Sequence, residues 1–126
     1  MAARSHVMVH FRPGAAITSK AAADIEAGTF VAYDGIWDDR RNPKIVPAPA
    51  GSVPVGFVRR DTPKDEYVAV DRGKYIADFA ADNTVVGGAP VAVGKGGKVT
   101  AVTEGAAVVG YAIDNPENGY VAVDVK

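Results

Sequence analysis

The side chains able to do chemistry in this 126-residue chain are few, and their spacing works against each familiar use. Gly94-Lys95-Gly96-Gly97 sets a lysine among glycines, the composition of a phosphate cradle. A phosphate-binding loop needs four residues between its first Gly and the Gly-Lys pair, whereas Gly88 to Gly94 encloses five. It also needs Ser or Thr after the Lys, where Gly96 stands, and it must open a helix. Here the segment separates two β patterns, so a tight hairpin turn is expected. His6 and His10 fall on one face of an alternating segment, but at about 3.3 Å per residue their Cα atoms are roughly 13 Å apart. That is too far for the pair alone to chelate one metal ion, and there is no Cys to help.

Carboxylates stand side by side at Asp38/Asp39 and Asp65/Glu66. Neighbours on a strand point to opposite faces, so adjacency does not make an acid–base dyad. Ser5, Ser19 and Ser52 lie in no Gly-x-Ser-x-Gly setting. The residues therefore predict no catalytic centre, no metal site and no cofactor.

The elements that would have to position a site are short and numerous. Fourteen Gly and eight Pro interrupt the chain too often for long helices and suit many short strands. The chain is 48 % hydrophobic but only 8 % aromatic, which predicts a core of small side chains, Val and Ala foremost. A net charge of −1, with both signs dispersed, gives no footprint for nucleic acid or an anionic membrane. No apolar run reaches the roughly 18 residues of a membrane span. The opening Met1 to His6 lacks the apolar stretch of a signal peptide, so synthesis in the cytoplasm is expected.

Residues 1–13 read as an N-terminal arm and 14–126 as a single β domain. In the arm Val7, Val9 and Phe11 alternate with Met8 and His10, while Arg4 and Arg12 make it basic. It is either a first strand with a frayed tip or a segment that adds a strand to a partner. Ser19 to Ala27 is the best helix candidate, with Ser19 at its start, alanines within and Gly28 at its end. Strands are expected at 30–33, 44–46, 52–59, 67–70, 74–79, 90–93, 98–102, 108–113 and 121–125. Between the first two lies a charged loop holding Trp37, Asp38, Asp39, Arg40 and Arg41. The large apolar surface of a Trp prefers burial, so Trp37 either folds back on its own sheet or serves as a contact residue.

An internal repeat organises the chain. Gly28-Thr-Phe-Val-Ala returns 60 positions later as Gly88-Ala-Pro-Val-Ala. Lys44-Ile45, Gly51 and Val55-Gly56-Phe57 return 54 later as Lys98-Val99, Gly105 and Val109-Gly110-Tyr111. Tyr67-Val-Ala-Val-Asp71 returns 53 later as Tyr120-Val-Ala-Val-Asp124. The drop from 60 to 54 places six extra residues between Asp34 and Lys44. The pattern predicts a duplicated β unit over about 27–71 and 87–125, in an all-β barrel or sandwich with at most one short helix.

Gly28-x-Phe-Val, Val53-x-Val-Gly-Phe57, Gly73-Lys-Tyr, Gly88-Ala-Pro-Val, Gly97-Lys-Val-Thr, Val109-Gly-Tyr111 and the closing Val-Ala-Val-Asp-Val resemble the small all-β head decoration, or capsid cement, proteins of tailed bacteriophages. The resemblance covers roughly residues 13–125. It implies a β-barrel-like fold, a homotrimer, a place on the capsid exterior of a virion made in the host cytoplasm, the major capsid protein as partner, and no enzymatic activity. On that reading the arm, with His10, Phe11 and Arg12, pairs with a capsid strand. The inserted loop, with Trp37, Arg40 and Arg41, contacts the capsid or a neighbouring subunit. A phage tail, fibre or carbohydrate-binding β module, and an enzyme whose site forms between subunits, are the other classes open to such a chain.

Overall fold

The computed structural model describes residues 16–38 and 41–126. These form ten strands: β1 Ile17–Ala21, β2 Thr29–Asp38, β3 Asn42–Pro47, β4 Gly56–Val58, β5 Tyr67–Val70, β6 Ile76–Ala80, β7 Pro90–Val93, β8 Val99–Ala101, β9 Gly110–Ala112 and β10 Tyr120–Val125. A 3₁₀ turn at Lys95–Gly97 joins β7 to β8, where a hairpin turn was expected. The protein is all-β, as its composition and turn spacing indicated.

No helix forms over the expected span of Ser19 to Ala27: Ser19 to Ala21 belong to β1, and residues 22–27 follow as bends, a turn and the Ile25↔Thr62 bridge. Ile17, Ser19 and Ala21 alternate inward along β1, and Ile17 and Ser19 sit opposite Val70 and Val68 of β5. A nine-residue helix is marginal alone. Pairing on both edges, parallel to β3 and antiparallel to β5, outweighs the helix propensity of three alanines. The inserted residues are also less loop-like than expected. β2 runs on to Asp38 and pairs again with β3 at Trp37↔Pro43, after a register shift that takes up Asp34 to Ile36. The strand expected over 52–59 shrinks to Gly56–Val58, since Pro54 has no N–H to give a ladder.

The strands form two five-stranded sheets, ordered β4-β2-β3-β1-β5 and β6-β10-β9-β7-β8. Their pairings are the same pairings, position for position. Val31↔Gly56 recurs as Val91↔Gly110, and Ile45↔Tyr33 as Val99↔Val93. Ser19↔Val68 recurs as Phe79↔Val121. Each sheet curls until its ends meet, but at different seams. Phe57↔Asp71 joins β4 to the end of β5 in the first, and Ala81↔Val99 joins the end of β6 to β8 in the second. Ala81↔Val99 is itself the counterpart of Ala21↔Ile45. The repeat therefore begins at β1 and β6, earlier than the sequence match at Ala27 and Gly87.

Small aliphatic side chains fill both sheets. Ala21, Ile25, Val31, Ile45, Val58, Val68 and Val70 make the first core. Their counterparts Val85, Val91, Val99, Ala112, Val121 and Val123 lie in the second. Burying each such Val is worth about 1.5–3 kcal/mol. The repeats meet through aromatic rings. Phe79 stacks on Phe30 at 4.6 Å between centroids and meets Phe57 edge-on at 5.0 Å, while Tyr75 closes on Phe57 at 5.5 Å. The Ala80 N–H donates to the Gly28 carbonyl (2.9 Å), and the Gly51 N–H to the Val93 carbonyl (2.8 Å), tying backbone to backbone across the junction.

Candidate functional site

Of the contact residues expected from the sequence, His10, Phe11, Arg12 and Arg40 lie outside the described residues. Trp37 and Arg41 are described, at the tip of the β2–β3 hairpin. The Arg41 N–H donates to the Asp38 carbonyl (3.1 Å), which closes the tip, and Arg41 is exposed. Trp37 is 40 % exposed, so part of its ring is covered and part faces out beside Ile36. The hairpin does not hang free. The Tyr67 hydroxyl donates to the Asp38 carboxylate, Lys20 Nζ lies 3.8 Å from the same carboxylate, and that ammonium sits 5.7 Å above the Tyr67 ring. Asp38 is thus a fastening between β1, β2 and β5, and a rigid mount for Trp37.

Two other polar clusters are built into the fold. Asp71, almost fully buried, accepts a two-pronged grip from Arg59, with Nε at 2.5 Å and a terminal nitrogen at 3.0 Å. The hydrogen bond to Asp71 raises the Arg59 pKa above its already high ordinary value. Asp82 accepts from the Thr100 hydroxyl (2.6 Å), the Thr84 hydroxyl (2.5 Å) and the Thr84 N–H (3.0 Å). Partial burial pushes the Asp82 carboxyl up, but these three donors outweigh it and hold it below the usual carboxylate range. Both clusters hold turns and seams, and each acceptor already has its donors.

A cleft of about 590 Å³ opens between the repeats, lined by Val53, Val55, Phe57, Arg72 and Val109 among others. Arg72 Nε lies buried there with no hydrogen-bond partner among the described residues. The exposed aromatics do not gather in this cleft. Tyr33, Trp37 and Tyr67 stand on the first repeat, and Tyr111 and Tyr120 on the second. Among the described residues no three His, Cys, Asp or Glu side chains come together as metal ligands would. Sequence reasoning missed Tyr111, Tyr33 and Val53 as exposed apolar residues. The signal was present in the repeat, since each stands where the other copy has a buried residue (Phe57, Val93) or a half-covered one (Ala107).

No protein-family model matches the chain, and no curated protein matches it. Among solved structures it is similar to the head fiber gp8.5 N base of bacteriophage phi29, with a TM-score of 0.74 and 21 % identity, over 88 % of this chain and 92 % of that one. At that identity the likeness establishes a shared fold.

Proposed function

We propose that the protein is a non-enzymatic structural component of a bacteriophage head: a decoration protein that binds the outside of the assembled capsid as a homotrimer and stabilises it. The observation that carries this reading is the likeness to a phage head fiber base along nearly the whole of both chains. The motif resemblance to capsid cement proteins points the same way. So does the use of each polar cluster as a structural fastening. On this reading the major capsid protein and further copies of the chain are the partners, with no cofactor, nucleic acid or membrane. A capsid repeats one surface many times, so modest affinity per subunit becomes firm binding when linked subunits engage together. The basic arm with His10, Phe11 and Arg12 adds a strand to the capsid. The mounted hairpin with Trp37, Arg40 and Arg41 makes a second contact. A fiber-attachment module is the second reading, favoured by the fiber base it matches.

Mixing purified protein with undecorated heads and sedimenting them tests the proposal. The protein is expected to co-sediment and to raise the resistance of the heads to heat. Removing residues 1–12 should leave the domain folded and weaken binding. Trp37→Ala should cost on the order of 2 kcal/mol of binding as an interface hot spot. Protein that stays in the supernatant at high concentration beside intact heads overturns the capsid reading.

A further inference from the structure

We propose that the second repeat of one chain docks on the first repeat of another, by the same pairing of faces that joins the two repeats inside one chain. The inference deepens the self-association in the reading above but rests on the duplication alone, not on the capsid.

Within the chain, the first repeat offers Gly28, Phe30, Gly51 and Phe57, and the second receives them on Tyr75, Phe79, Val93 and Ala106. The approach is close. A Cβ on Gly28 would come within 3.1 Å of the Asp78 carbonyl, and one on Gly51 would lie 3.7 Å from Ala106 Cβ. Gly51 also exchanges backbone hydrogen bonds with the second repeat, giving its N–H to Val93 at 2.8 Å and accepting that of Ala107 at 3.1 Å.

The offering face exists twice and is covered once; the receiving face of the first repeat is bare at its rim, since Ser19, in the place of Phe79, is buried. The offering face of the second repeat is Gly88, Pro90, Gly105 and Tyr111. A Cβ on Gly88 or Gly105 meets nothing within 4 Å, and Tyr111 is 52 % exposed where Phe57 is 2 %. The receiving face of the first repeat carries Tyr33, 46 % exposed where Val93 is 1 %, and Val53, 78 % exposed in the place of Ala107. Both bare faces keep the backbone geometry of the covered ones, because Gly88 and Gly105 hold the same left-handed φ as Gly28 and Gly51 (83° and 82° against 72° and 78°). Both also retain large apolar side chains, which a monomer gains nothing by exposing together. The two faces differ, so the contact is head-to-tail, the class that builds a ring when its rotation closes and an open filament when it does not.

The chain has no Cys, which permits a direct test by cross-linking of purified protein without heads. Gly51→Cys with Ala106→Cys should form a disulfide inside one chain, since their Cβ atoms fall within the 3.5–4.5 Å such bonds need. The counterpart pair, Ser52→Cys with Gly105→Cys, should join separate chains into covalent multimers on a non-reducing gel. Single variants should not dimerise alone, but a mixture of the two should give a dimer and stop there. Tyr111→Asp should cut the inter-chain yield by about tenfold, as loss of a central aromatic contact does, and reduce the sedimentation size of the Cys-free protein. Monomers from the Ser52/Gly105 pair while the control pair closes, or dimers from either single variant alone, overturn the proposal. Either result leaves the capsid reading to its own co-sedimentation test.

Discussion

Gly56 and Gly110 show the duplication in a single atom. A Cβ at Gly56 would press on the Asp71 carbonyl and lie 2.7 Å from Val70 Cγ1; at Gly110 it would press on the Asp124 carbonyl and lie 2.9 Å from Val123 Cγ1. Both sit where one strand crosses close over another, so neither leaves room for a methyl group. Gly56→Ala and Gly110→Ala should each cost about 1–3 kcal/mol, with matching shifts in urea midpoint. Asp82 lacks such a twin, because its counterpart is Ala22. Its carboxyl is held below the ordinary range in the fold, so its stabilising contribution is present above the unfolded value of about 3.9 and fades as pH falls through the lower folded value. Thr100→Val should therefore destabilise at pH 7, and the gap from the parent should narrow as unfolding is followed into strong acid. The glycines were legible as a repeated pattern. The crowding that requires them was not, because it depends on the Asp71 carbonyl in one repeat and the Asp124 carbonyl in the other, well over ten positions further along the chain.

At the level of elements, β1 and β6 explain what the sequence concealed. They hold the same place and register in their sheets, yet Ile17-Thr-Ser-Lys-Ala21 and Ala77-Asp-Phe-Ala-Ala81 share little beyond the last alanine. The difference has a physical cause. Ser19 turns its hydroxyl back to the Ile17 carbonyl (3.4 Å), while Phe79 in the same register carries the ring that locks the repeats together. The two strands differ because only one of them carries the junction, and Ala21, Ala22 and Ala23 at the end of β1 imitate a helix. By contrast β5 and β10 kept their Val-x-Val alternation, because both only fill a core, and they were read correctly. Trp37 and Arg41 were legible as a hairpin tip, but its anchoring to Tyr67 was not, since that partner is 29 residues away from Asp38. Phe79→Ala should cost about 3–5 kcal/mol through the cavity it leaves between two rings. The loss should fall on the coupling between repeats, so thermal unfolding should split into two steps.

For the whole molecule, the aromatic junction has a bearing on the order in which the chain is made. Domains generally fold as units, N-terminal part first, at about 5–20 residues per second during synthesis. The first sheet has all its strands once Val70 has emerged, and it closes with Phe57↔Asp71 before most of the second sheet exists. At that moment Phe30 and Phe57 have no ring to cover them, because Phe79 and Tyr75 come later in the chain. For a short interval the nascent protein presents a sticky aromatic patch to its surroundings. The next strand to appear, β6, carries the covering ring, but it pairs with β10, so the patch is sealed only when Val125 has emerged. Ribosome-bound chains arrested between Asp71 and Tyr120 should be captured by chaperones or by the β6 of a neighbouring polypeptide, and should lose that capture once Val125 has been added and has cleared the ribosome.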